Sequence, residues 1–170
     1  VSGRLKRIFK DGTAGGTGFL DDHAFVIAGL LDLFEITTDP HWLDAALELD
    51  RTLNDRFGDH ENGGFFMTAD DYETLIAREK PAFDGALPSG NAVALMNQLR
   101  LNAITLDPSY LKKAQKCLVA FSTIMEANPA AFGEMLLALD DYINPKTGRK
   151  IFGCEKIFDH AAKQNKSKYT

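Results

Sequence analysis

A four-residue turn signature occurs twice in the chain, as Asp39-Pro40-His41-Trp42 and as Asp107-Pro108-Ser109-Tyr110, at an offset of 107 − 39 = 68 residues. At the same offset Asp22 falls on Gly90, His23 on Asn91, Ala24 on Ala92, Ile27 on Leu95, Leu43 on Leu111 and Ala46 on Ala114. Aspartate before a helix accepts from its free backbone N–H groups, and proline suits the first helical position, where its missing N–H costs nothing. Each signature therefore starts a helix. Before it, residues 24–36 and 91–106 are apolar around most of their circumference. After it, 41–57 and 109–125 are amphipathic: Trp42, Leu43, Ala46, Leu49 and Leu53 share one side of the first, opposite Asp44, Glu48, Arg51 and Asp55. An all-round apolar helix needs cover on several faces, whereas an amphipathic one needs it on a single face. The chain is thus expected to be mainly α-helical, with helical hairpins in an inner and an outer layer. A third apolar helix, 130–142, should follow Asn128-Pro129. An ordinary bundle whose turns match by chance is the competing reading. Recurrence of both turn chemistry and helix character in register favours the repeat.

Around this repeat, 19–142, the chain divides into an extended lead-in and a C-terminal extension. In residues 1–18, Leu5, Ile8 and Phe9 could form a strand before a loop of glycines. Between the repeats, Gly64–Thr68 and Thr74–Ala77 predict a β-hairpin at about 63–78. Residues 143–170 are expected to be partly disordered, with a short strand at 149–152 and a frayed tail from Lys163. A 170-residue chain that is 45% hydrophobic and 25% charged can bury a core as one domain. Its net charge of −5 and lack of a basic stripe argue against nucleic acid, and no apolar run is long enough for a bilayer. Val1–Lys10 is basic but lacks the apolar core of a secretory signal, and opening on Val1 suggests a truncated or processed chain. Cys117 and Cys154 form no CxxC pair; Cys117 reads as a buried thiol, and a cytoplasmic location is expected. His41, His60 and His160 show no metal-ligand spacing, and Gly12–Gly18 lacks a phosphate-loop pattern, so neither metal nor cofactor is expected.

Three blocks resemble a known family: Phe19-Leu20-Asp21-Asp22-His23-Ala24-Phe25, Gly63-Gly64-Phe65-Phe66-Met67-Thr68-Ala69-Asp70 and Asp84-Gly85-Ala86-Leu87-Pro88-Ser89-Gly90-Asn91. In this order they look like the C-terminal region of the thioredoxin-domain proteins that include the spermatogenesis-associated thioredoxin-like protein. That region resembles the six-hairpin glycosidase and N-acylglucosamine 2-epimerase toroids. The resemblance covers roughly residues 4–142. It implies a partial α/α toroid, with about two and a half of six hairpins and no thioredoxin-like domain.

In such a toroid the inner helices run side by side and their N-termini gather at one mouth. Asp21, Asp22 and His23 open the first, Ser89 and Asn91 the second, Asn128 the third. Asp22, His23 and Asp84 are the candidate acid–base groups. Asp21, Phe65, Tyr72, Ser89 and Asn91 are candidate contacts for a sugar or polyol. Asp, Ser and Asn are also the usual helix caps, and capping is the favoured reading of Asp21 alone; Asp22 with His23 stays open between site and structure. For Asp84 the site reading is slightly favoured over a turn former, and for at least one Phe packing on the helices is the favoured reading. Two functions follow: a fragment of a carbohydrate isomerase or hydrolase, or a non-catalytic binding module serving a missing thioredoxin-like domain. With hairpins missing, an apolar flank should stay open to self-association or to other segments of a parent chain.

Overall fold

The computed structural model describes residues 4–72 and 77–145. An antiparallel hairpin, β1 (Lys6–Lys10) and β2 (Thr13–Thr17), precedes helices α1 (Leu20–Thr37), α2 (Pro40–Phe57), α3 (Gly90–Thr105) and α4 (Pro108–Ala127). A 3-10 turn at Pro129–Ala131 leads into α5 (Gly133–Ile143). The expected fold class, mainly helical with one small β-hairpin, is what the structure shows.

The repeat holds down to individual hydrogen bonds. α1 and α3 end at Thr37 and Thr105, and α2 and α4 begin at Pro40 and Pro108, each pair 68 residues apart. Thr38 and Leu106 both close their helices in the left-handed region, at φ 58° and 59°. Thr37 Oγ1 donates to Leu33 O and Thr105 Oγ1 to Leu101 O, each at 2.7 Å. Asp39 and Asp107 each accept from the backbone N–H two residues on, at 3.0 and 2.8 Å. Identical turn chemistry thus ends the inner helix and starts the outer one in both units.

α1, α3 and α5 lie side by side, with α2 packed on α1 and α4 on α3. α1 and α3 are parallel neighbours: Asn97 Nδ2 donates to Ala24 O at 2.8 Å, and three residues on, Arg100 reaches Ala28 O, Asp32 and Glu35. One core cluster, including Ile27, Leu31, Leu53 and Leu101, fills the first hairpin and its contact with α3. A second, including Leu95, Phe121, Phe132 and Met135, joins α3, α4 and α5. Cys117 belongs to it as a free thiol, as expected, and burial pushes its pKa up to about 12.

Three element positions differ from the sequence expectation. A β-hairpin lies at 6–17, where only its first arm was expected as a strand. Asp11 and Gly12, at φ 52° and 77°, form its two-residue loop, and the register runs from Lys6↔Thr17 to Lys10↔Thr13. The described part of 63–78 forms no ladder: Phe65 makes one isolated bridge with Gly58, while Phe66 N donates to Phe57 O and Met67 N to Glu79 O. Residues 63–72 form a strap folded over the C-terminal end of α2. Gly63 and Gly64, at φ 80° and 73°, let it touch α4, since a Cβ on Gly63 would collide with Lys116 O. Finally, α5 begins at Gly133 rather than Ala130, because Asn128-Pro129 opens a 3-10 turn first. The second arm of the expected hairpin (Thr74–Ile76), the strand at 149–152 and the tail lie outside the described residues.

Candidate functional site

The starts of α1, α3 and α5 converge at one end of the inner layer. Asp84, on the loop ahead of α3, makes the join. Its Oδ1 accepts from Ser89 N, just before α3, and its Oδ2 from Glu134 N, in the first turn of α5, both at 2.8 Å. Its own N–H donates to Ala131 O at 2.9 Å. One carboxylate therefore serves two helix starts, where exposed N–H groups favour a negative charge. α1 and α3 approach closely through Gly90: a Cβ there would overlap Asp21 Oδ1 and stand 2.8 Å from Leu20 Cγ.

Asn91 lies one residue into α3, fully buried. Its Oδ1 accepts from Phe65 N at 2.7 Å, while Nδ2 donates to Phe65 O at 2.9 Å and to Pro81 O at 2.7 Å. It clasps the strap at Phe65, and Pro81 beyond it, to the inner layer. Ser89 Oγ accepts from Ala92 N at 3.2 Å as an ordinary helix cap. Phe65 is buried, so it forms core and not a stacking wall. Tyr72 is the exposed aromatic of the pair, its ring edge-on to Phe19 at 5.8 Å.

The N-cap of α1 is Phe19, and it is Asp22, in the first turn, whose Oδ2 accepts from Phe19 N at 2.8 Å, rather than Asp21. His23 turns away from the mouth into the core, 1% exposed, with its ring 4.9 Å from that of Phe57. Its Nδ1 lies 2.9 Å from Phe19 O; a carbonyl only accepts, so Nδ1 carries the proton and Nε2 is left as a buried lone pair. Burial lowers the His23 pKa below its ordinary value, and the Phe19 carbonyl and Asp22 only partly oppose this. The proton-transfer role near neutrality expected of His23 thus meets a neutral, enclosed ring. Because the folded-state pKa is the lower one, folding favours the neutral ring. Stability should be full above about pH 6.5 and fall as pH drops below it. We expect His23→Gln to flatten the pH 5–7 limb of a urea-midpoint profile. An unchanged limb would show that other groups set it.

The open surface at this end is a cleft of about 480 Å³ between β1, the start of α1 and the loop before α3. Lys6, Arg7, Asp21, Asp22, Leu87 and Pro88 line it. Of the eight candidate residues only Asp21 and Asp22 do so; His23, Asp84, Ser89, Asn91 and Phe65 are spent on helix starts, strap and core, and Tyr72 stands outside. Burial raises the pKa of Asp21, and neighbouring Asp22 adds to the shift. Arg7 Nε stands 3.9 Å from Asp22 Oδ2.

Three polar groups not singled out from sequence carry much of the architecture. Asp59 Oδ1 accepts from the N–H groups of Glu61 and Asn62, and Lys80 pairs with Oδ2; together they hold its pKa well below the carboxylate range. An aspartate three residues before Asn62-Gly63 is a turn signal that could have revealed it. Gln98 Nε2 donates to buried Asp50 at 2.6 Å across the α2–α3 contact. Arg100 has no local signature at all. Among the described residues no cluster of three or more His, Cys, Asp or Glu is placed to hold a metal ion, and no helix is long and apolar enough to cross a membrane.

Fold and site together define a protein of layered helical hairpins whose inner helices start side by side. No family model matches the chain. Rat spermatogenesis-associated protein 20 is 42% identical over 148 residues, covering 81% of this chain and 19% of the rat protein. The human protein of that name is 37% identical over 176 residues, covering 98% of this chain and 22% of its own length. The chain is thus similar to one segment of the spermatogenesis-associated protein 20 relatives, and it spans about a fifth of their length.

Proposed function

We propose that the chain is one segment of a larger α/α toroid and works as a non-catalytic assembly and binding module. The observation that carries this reading is the saturation of the helix-start cluster. Both Asp84 oxygens accept backbone N–H groups, and the Asn91 amide makes three hydrogen bonds. His23 is enclosed in the core. Acid–base catalysis needs two groups of different pKa within reach of one substrate atom. Of the groups expected to do that, Asp84 joins two helix starts and His23 is enclosed, which leaves Asp22 at the cleft without an acid–base partner from that set. The two-layer packing and the exact repetition of the turn support the toroid reading, and an inert, buried Cys117 fits a cytoplasmic setting.

The second reading, a sugar or polyol site, is favoured by the cleft, where the Asp21 and Asp22 carboxylates face Lys6 and Arg7. Titration calorimetry with a panel of monosaccharides and polyols tests the two. We expect no saturable heat from the intact chain or from Asp84→Asn. Saturable binding that Asp22→Asn abolishes would overturn the module reading and assign the cleft to carbohydrate.

A further inference from the structure

We propose that the outward flank of α1 is a seat for the inner helix of another hairpin of this repeat, a helix carrying basic residues at the level of Asp32. This deepens the assembly reading above and rests on it. The seat is identified by register. α3 meets α1 through Val93, Ala94, Asn97, Arg100, Leu101 and Ile104, the apolar four of which share a core cluster with α1. At the 68-residue offset these positions are Phe25, Val26, Gly29, Asp32, Leu33 and Ile36. On α3 the apolar four are at most 8% exposed; on α1 their counterparts are 37–78% exposed. The same face of the same repeat element is therefore covered in one unit and bare in the other. A run of Phe, Val, Leu and Ile along one side of a helix costs solvation free energy unless something packs on it.

The repeat also says how the occupant lies and what it carries. α1 sits on the α3 face parallel to it, placing Asp32 and Glu35 against Arg100. On the α1 face the counterpart of Arg100 is Asp32, so the sign of the charge is inverted. The Asp32 side chain is 64% exposed despite its contact with Arg100, leaving room for a second cation. The occupant is thus a parallel inner helix with Arg or Lys where α1 has Asp32 and Glu35. A second copy of this chain does not meet that requirement. Its α1 and α5 carry Asp32, Glu35, Asp140 and Asp141 in their C-terminal halves, and its Arg100 is already engaged. Like charges facing each other across an interface suppress the wrong partner. Gly29 stands where α3 has Asn97, and open space lies above it for a larger side chain from the occupant.

The test uses two labelled peptides of α1, residues 20–37, one with its own sequence and one carrying Asp32→Arg and Glu35→Lys. Binding to the intact chain is followed by fluorescence anisotropy. The charge-reversed peptide is expected to bind about tenfold more tightly than the native sequence. Leu33→Glu in the chain should abolish that binding, and Asp32→Arg should invert the preference. Equal affinities, no saturable binding, or indifference to Leu33→Glu would overturn the proposal. So would a dimer by light scattering that Leu33→Glu dissociates, since the seat would then belong to a second copy. Phe25 and Val26 also line the cleft, so the two readings are separated by variant: Leu33→Glu acts on the flank beyond the cleft and Asp22→Asn on the cleft itself, and failure here leaves the module reading testable by sugar titration.

Discussion

Asn91→Ala should destabilise the chain by about 3–5 kcal/mol, a large part of the stability of a domain this size. The side chain is fully buried, and its removal leaves Phe65 N, Phe65 O and Pro81 O without their partner. Each buried group left unsatisfied costs about 1–3 kcal/mol, and water that enters the vacated space recovers part of it. The damage should also be directional. The strap should loosen from the inner layer, so hydrogen exchange at Phe65 should rise more than exchange in the middle of α3. Asn91→Asp should be as harmful, because it removes both N–H donors and buries a charge. Urea unfolding measures the loss. A cost below about 1 kcal/mol would mean that strap and inner layer are held by apolar contacts alone.

Asn91 also shows where sequence reading works and where it stops. That residue was legible as special, because it opens an inner helix at the offset where His23 opens the previous one. Its partners were not, since Phe65 and Pro81 are 26 and 10 residues away and no periodicity links them to it. The layers and both Asp-Pro turns could be read because a cap and a helix period are local properties. The convergence of helix starts followed from the repeat. What the starts do there did not follow, because aspartate and asparagine supply the same atoms to a ligand and to a backbone N–H.

Only the first arm of the hairpin at 6–17 was legible, for a similar reason. Asp11-Gly12 is a strong two-residue turn signal, but its second arm, Thr-Ala-Gly-Gly-Thr, is poor in strand formers and reads as loop. Gly64-Phe65-Phe66-Met67-Thr68 has the apolar content of a strand. Its backbone partners are the end of α2 and Glu79, and its alternation could not reveal that. Arg100 is the extreme case. On a helix apolar around most of its circumference it is the one charged residue, and only the tertiary contact explains it.

Arg100→Met should cost about 3 kcal/mol at neutral pH, the usual penalty for removing one partner of a buried ion pair. Nε and Nη2 donate to Glu35 Oε1 at 3.0 and 2.8 Å, Nη2 also to Asp32 at 2.7 Å, and Nη1 to Ala28 O at 3.3 Å. Arg100 and Glu35 expose only 15% and 12% of their side chains. Burial already raises the Glu35 pKa, with Arg100 opposing the rise. Without Arg100 that opposition vanishes, and Glu35 becomes a buried carboxylate with no cation. The sign of the pH dependence follows. A carboxyl whose folded-state pKa lies above its unfolded value takes up a proton more readily when folded, so acidification relieves the penalty. The gap between Arg100→Met and the parent should therefore narrow as pH falls from 7.5 towards 5. Adding Glu35→Gln should recover most of the loss at pH 7.5, because the orphaned charge is gone. Urea midpoints for the parent, both single variants and the double variant at both pH values measure this. If Arg100→Met costs under about 1 kcal/mol at pH 7.5, or Glu35→Gln gives no rescue, α1 and α3 are joined by their apolar faces and this ion pair is incidental.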